Sequence, residues 1–119
     1  MQSTITSALS HTMTLIKEEH NWQPTTPIWE RMIPNPINIA FRFGMYGVIE
    51  YASKDYYLNV QQAIKQHAAQ VIKPIDGAYT DAGAMDIIIN FNDTHSHAEV
   101  IAMLQKIHDT PYRDYYSTE

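Results

Sequence analysis

Cysteine is absent from the 119 residues. That excludes a disulfide framework and any thiolate metal site, and it agrees with a reducing compartment, so a cytoplasmic protein is expected. No apolar run approaches the roughly 20 residues that cross a bilayer. The opening MQSTITSALSHTMTLIKEEH has neither a basic n-region nor a long apolar h-region, and reads as mature protein. Positive charge is scarce: 8 Lys and Arg stand against 13 Asp and Glu, for a net charge of −5. The basic residues are scattered singly, whereas a nucleic-acid binder needs them clustered to neutralise phosphates. The same scarcity argues against an anionic membrane surface. Glycine is also rare, at 4 residues. Gly77 and Gly83 do not form the glycine-rich turn opening onto a helix that a phosphate cradle needs.

What is present is an ordinary globular balance, with 45% hydrophobic and 18% charged residues. A chain of this length forms one domain able to bury a core without staples. Its expected organisation is a helical, proline-rich lead-in over 1–36, a sheet-and-helix body over 37–110, and a polar aromatic tail over 111–119.

Ile5, Leu9, Met13 and Ile16 recur at helical spacing. Four prolines then punctuate 21–36, where Thr26 and Pro27 resemble a helix start. Ile37, Ile39, Phe41 and Phe43 alternate with polar or small residues and predict a strand. Gly44-Met45-Tyr46-Gly47 reads as a turn into a second strand, 48–52, completing a hairpin. Tyr57, Val60, Ile64, Ala68 and Val71 predict a helix over 54–71, with Ser53 as its cap and Asp55 in its first turn. Pro74 and Ile75-Asp76-Gly77 end that helix in a turn. Short strands are then expected at 78–80 and 85–92, the latter from Ile87-Ile88-Ile89. Ser96 and Glu99 have the form of a capping box, opening a last helix with Val100, Met103, Leu104 and Ile107 inward. The order implies an α+β fold: about four mainly antiparallel strands with helices packed on one face.

No motif specifies a reaction. His95 and His97, with Asp93 as the nearest carboxylate, are the candidates for a metal site, and a small metal-dependent enzyme or a small-ligand binder built on that junction is the alternative reading. No ligand spacing of a known zinc type supports it, and polar helix entries commonly carry such residues to satisfy free amides. No cofactor is expected. Asp76, Asp81 and Asp86 recur through one loop, but their spacing is not that of a calcium loop and turn chemistry accounts for them.

The tyrosines are more suggestive, at 8 against 3 phenylalanines. Tyrosine pairs a rigid apolar body with a polar tip and suits interfaces. Together with the acidic balance, this points to a small protein-binding module. Its expected class is an inhibitor, in the manner of immunity proteins that neutralise nucleases or phage anti-defence proteins. The expected partner is a basic protein, a nuclease or another nucleic-acid-handling protein. The candidate contact residues are Asp76, Tyr79 and Asp81 in the loop, and Tyr112, Asp114, Tyr115 and Tyr116 in the tail. Self-association through a sheet edge is compatible with the same pattern.

Overall fold

Ile5, Leu9 and Ile16 do fall on one face of a helix, α1 (Gln2–Ile16), and all three are buried. In the computed structural model, which describes residues 1–24 and 44–116, every long element is a helix. After α1 comes one turn of 3-10 helix at Glu19–Asn21, then α2 (Met45–Ser53), α3 (Leu58–Ile72), α4 (Asp81–Thr94) and α5 (His97–Asp109). No sheet exists among the described residues.

The expected α+β fold is therefore corrected to an all-helical one. Residues 48–52, read as a strand, lie within α2. Residues 85–92, read as a strand, lie within α4. Residues 78–80 are neither strand nor helix. The strand expected at 37–43 and the short helix start at Thr26-Pro27 lie outside the described residues. The sheet-edge route to self-association falls with the sheet.

The physical reasons are local. Every residue from Met45 to Glu50 is buried, so α2 carries no polar–apolar alternation by which a short apolar run could be told from a strand. In α4, Ala84, Ile88, Ile89 and Asn92 are buried while Ile87 is not. That is a helical stripe, and the three consecutive isoleucines only mimic a strand core. Its start is a proper cap: the Thr80 hydroxyl accepts the Gly83 amide at 3.0 Å, and Asp81 sits in the first turn, where the dipole favours an anion.

The other helices follow the sequence more closely. The capping box of α5 is complete: the Ser96 hydroxyl accepts from the Glu99 amide and the Glu99 carboxylate accepts from the Ser96 amide. Val100, Leu104 and Ile107 are buried behind it. In α3, Ile64 and Ala68 are buried as expected, but Tyr57 precedes the helix and is 84% exposed. Ser53 does not cap α3. It ends α2, and its hydroxyl donates back to the Ile49 carbonyl.

Helix α1 packs against α2 and α5, and α3 packs most extensively against α4 while also touching α5. Helix α2 lies between these pairs, in contact with α1, α3 and α4. The core combines Ile5, Leu9, Ile16, Met45, Ile49, Ile64, Ile88, Ile89, Leu104 and Ile107, each essentially without exposed surface. Each fully buried Ile or Leu side chain contributes about 2 kcal/mol of transfer free energy. No helix among the described residues is long and apolar enough to cross a membrane.

Candidate functional site

One stretch of α3 positions both segments singled out in the sequence. Gln66, His67 and Gln70 are buried polar residues in an otherwise apolar region of that helix. Burial of polar groups is tolerated only when they are hydrogen-bonded, and all three are. The Gln66 side-chain amide donates to the Tyr79 carbonyl at 2.9 Å and accepts the Tyr79 amide at 2.8 Å. The Gln70 side chain donates to the Gly77 carbonyl at 2.8 Å and accepts the Ile75 amide at 3.1 Å. Gln70 also donates to Gln66 at 3.0 Å, tying the two glutamines together. The loop between α3 and α4 is thus held by side chains that imitate a backbone partner. Its turn requires Gly77, which stands at φ 77°, in the left-handed region.

His67 does the same for the tail. Its Nε2 lies 3.0 Å from the Ile107 carbonyl, to which it can only donate. In the neutral ring Nδ1 is then an acceptor, and it receives the Tyr115 hydroxyl at 2.9 Å. Burial pushes the His67 pKa down, against the opposing pull of the Ile107 and Thr110 carbonyls, so the neutral form is the favoured one. Tyr112 packs edge-on to the same imidazole, with ring centroids 5.8 Å apart, and Tyr115 meets Tyr112 at 5.7 Å.

The candidate contact residues therefore divide. Tyr115 is 7% exposed and Tyr112 half-buried, so both anchor the tail. Burial raises the pKa of each phenol. Asp114 and Tyr116 face solvent, and the Asp114 carboxylate accepts the Tyr116 amide at 3.1 Å. Asp76 is exposed on the loop. Tyr79 is half-buried, with its hydroxyl on the Lys73 carbonyl. Asp81 is exposed and accepts from the Gln62 side chain at 3.1 Å.

Loop and tail border a common groove of about 310 Å³. Gln70, Val71 and Pro74 form one side, and Lys106, Thr110, Arg113 and Tyr115 the other. Lys106, Arg113 and the three buried polar residues of α3 were not among the residues singled out in the sequence. The signal for the latter was available: Gln66, His67 and Gln70 flank Ile64 and Ala68, where an amphipathic helix should be apolar.

The His95–His97 junction is arranged differently from a ligand set. The His95 ring stacks on Phe91 at 3.8 Å, and its Nδ1 is 2.8 Å from the Phe91 carbonyl. His97 turns the other way. Its Nε2 donates to the Ile16 carbonyl at 2.6 Å, and its ring meets Trp22 at 5.5 Å. Asp93 interacts with the Asn92 side chain. No group of three or more His, Asp or Glu side chains among the described residues is placed to hold a metal ion.

A second charged cluster is internal. Glu50 on α2 is 4% exposed and ion-paired to Lys65 on α3. Tyr46 hydrogen-bonds to the same carboxylate, and burial with the adjacent negative charge raises its pKa strongly. These groups join two helices. No family model, curated protein or solved structure matches the chain.

Proposed function

We propose that the chain is a protein-binding module of the inhibitor type, comparable in its mode of action to immunity or anti-defence proteins, acting in the cytoplasm by covering a basic partner such as a nuclease. The observation that carries this reading is the common anchoring of loop and tail on Gln66, His67 and Gln70. A surface whose backbone is already fixed loses less entropy on docking than a free loop and tail would. Asp76, Asp81 and Asp114 supply the negative charge that steers a basic surface. Tyr79 and Tyr116 offer amphipathic contact area, and Tyr112 and Tyr115 buttress it from beneath.

The test is affinity capture from the native host with the full chain, followed by association kinetics with the captured protein. A double charge reversal, Asp76→Lys with Asp114→Lys, alters exposed residues outside the core. The reading expects a basic partner whose on-rate drops about tenfold in the variant at low salt, with the difference shrinking as salt is added. Capture of no basic protein, or identical on-rates for the two chains, would remove it.

A further inference from the structure

The groove between α3, the end of α5 and the tail is lined by two cations and, among the described residues, by no carboxylate. Two cationic side chains, Lys106 and Arg113, line it in a chain of net charge −5. Elsewhere, Lys54 and Lys65 are taken up by Asp55 and Glu50, while Lys17 and Lys73 have no carboxylate partner among the described residues. Neither Lys106 nor Arg113 is paired with a carboxylate among the described residues.

Arg113 is also held in place. Its guanidinium lies over the Tyr115 ring, 4.8 Å from the centroid, and that ring is fixed through its hydroxyl to the buried His67. A guanidinium stacked on an immobile ring loses little freedom when it binds, and its planar edge suits a carboxylate or phosphate. The Thr110 hydroxyl is committed to the Lys106 carbonyl, and the Gln70 amide to Gln66 and Gly77. Arg113 also hydrogen-bonds to the Tyr115 side chain, which leaves other N–H donors of its five-donor guanidinium, and the Lys106 ammonium, to meet a ligand. Val71, Pro74 and Tyr115 also line the groove.

We infer that this groove binds a small organic anion, with its carboxylate or phosphate head on Lys106 and Arg113 and a flat apolar body against Val71, Pro74 and Tyr115. The volume of about 310 Å³ lies at the lower end of the range for small-ligand sites, which suits a single-ring body. The site goes beyond the protein-binding reading and does not depend on it.

The experiment is titration of isotope-labelled full chain with benzoate, phenyl phosphate, inorganic phosphate, benzyl alcohol and an oligoglutamate peptide, followed by amide chemical shifts. Saturable shifts at Gln70, Lys106, Thr110, Arg113 and Tyr115 are expected with benzoate or phenyl phosphate, the tighter of the two identifying the head group. Inorganic phosphate should bind more weakly, and neutral benzyl alcohol should not bind. Lys106→Ala, at an exposed position, should weaken binding about tenfold, whereas Lys73→Ala, outside the groove, should leave it unchanged. Shifts that do not saturate, that scatter over the surface, that occur equally with benzyl alcohol or that survive Lys106→Ala would overturn the inference. Saturation by an oligoglutamate peptide alone would overturn it in favour of a macromolecular contact.

Discussion

His67 has no exposed surface, yet both of its ring nitrogens are used. Replacing it with Phe keeps the apolar volume and leaves the Tyr115 hydroxyl and the Ile107 carbonyl without this partner. An unsatisfied buried group costs about 1–3 kcal/mol, so His67→Phe should lose about 2 kcal/mol in urea unfolding near neutral pH. The pH dependence has a definite sign. Folding lowers the His67 pKa below its ordinary 6.5, so below that value the unfolded chain binds more protons than the folded one and stability falls. The stabilisation from neutral His67 is complete above pH 6.5 and is lost as pH falls from there toward the folded pKa. The stability gap between the native chain and His67→Phe should therefore be widest above pH 6.5 and narrow in acid. A gap that stays constant or widens on acidification would contradict the neutral, doubly bonded imidazole.

At the scale of elements, legibility tracked amphipathicity and caps. Helix α5 was readable because Ser96, Glu99 and the Val100–Leu104–Ile107 stripe are all local signals. Helix α1 was readable from its spacing, and most of α3 likewise. Helix α4 was not, because β-branched Ile87, Ile88 and Ile89 weigh toward a strand while Thr80, whose cap on Gly83 is decisive, reads in the sequence as the end of a short strand at 78–80. Helix α2 was not, because Gly44 and Gly47 read as a turn and the residues from Met45 to Glu50 are all buried, with no exposed position among them to mark a helical period. Its one charged residue, Glu50, is instead neutralised across the fold by Lys65. That pair gives a test of how α2 and α3 are joined. Lys65→Met strands a buried carboxylate and should cost about 3–5 kcal/mol. The double variant Glu50→Leu, Lys65→Met removes both charges and should recover most of that loss, since replacing a buried pair with apolar groups is often close to neutral. A double-mutant cycle by chemical denaturation reads this directly, and simple additivity of the single losses would show that the two charges do not act as a pair.

Across the whole molecule, helix ends are completed by side chains from distant parts of the chain. A helix leaves its first amides and last carbonyls without internal partners. His97, in the first turn of α5, donates to the last carbonyl of α1. His67 donates to the Ile107 carbonyl, in the last turn of α5. Asn92 of α4 accepts the Met45 amide at the start of α2, at 3.0 Å. The partners are separated by 81, 40 and 47 positions in sequence, which is why no local pattern revealed them and why His97 resembled a ligand. Asn92 also accepts the Trp22 indole N–H at 2.7 Å and donates to the Gln23 carbonyl at 3.0 Å. It thereby closes the segment after α1 and the start of α2 onto α4. Asn92→Leu keeps the volume while removing an acceptor from two donors and a donor from one carbonyl. A loss of about 3 kcal/mol is expected. The location of the damage is equally specific: the Trp22 indole proton and the Met45 amide should exchange with solvent much faster, while the Ser96–Glu99 cap of α5 keeps its protection. Uniform loss of protection would instead mean that Asn92 supports the core generally rather than fastening these two segments to α4.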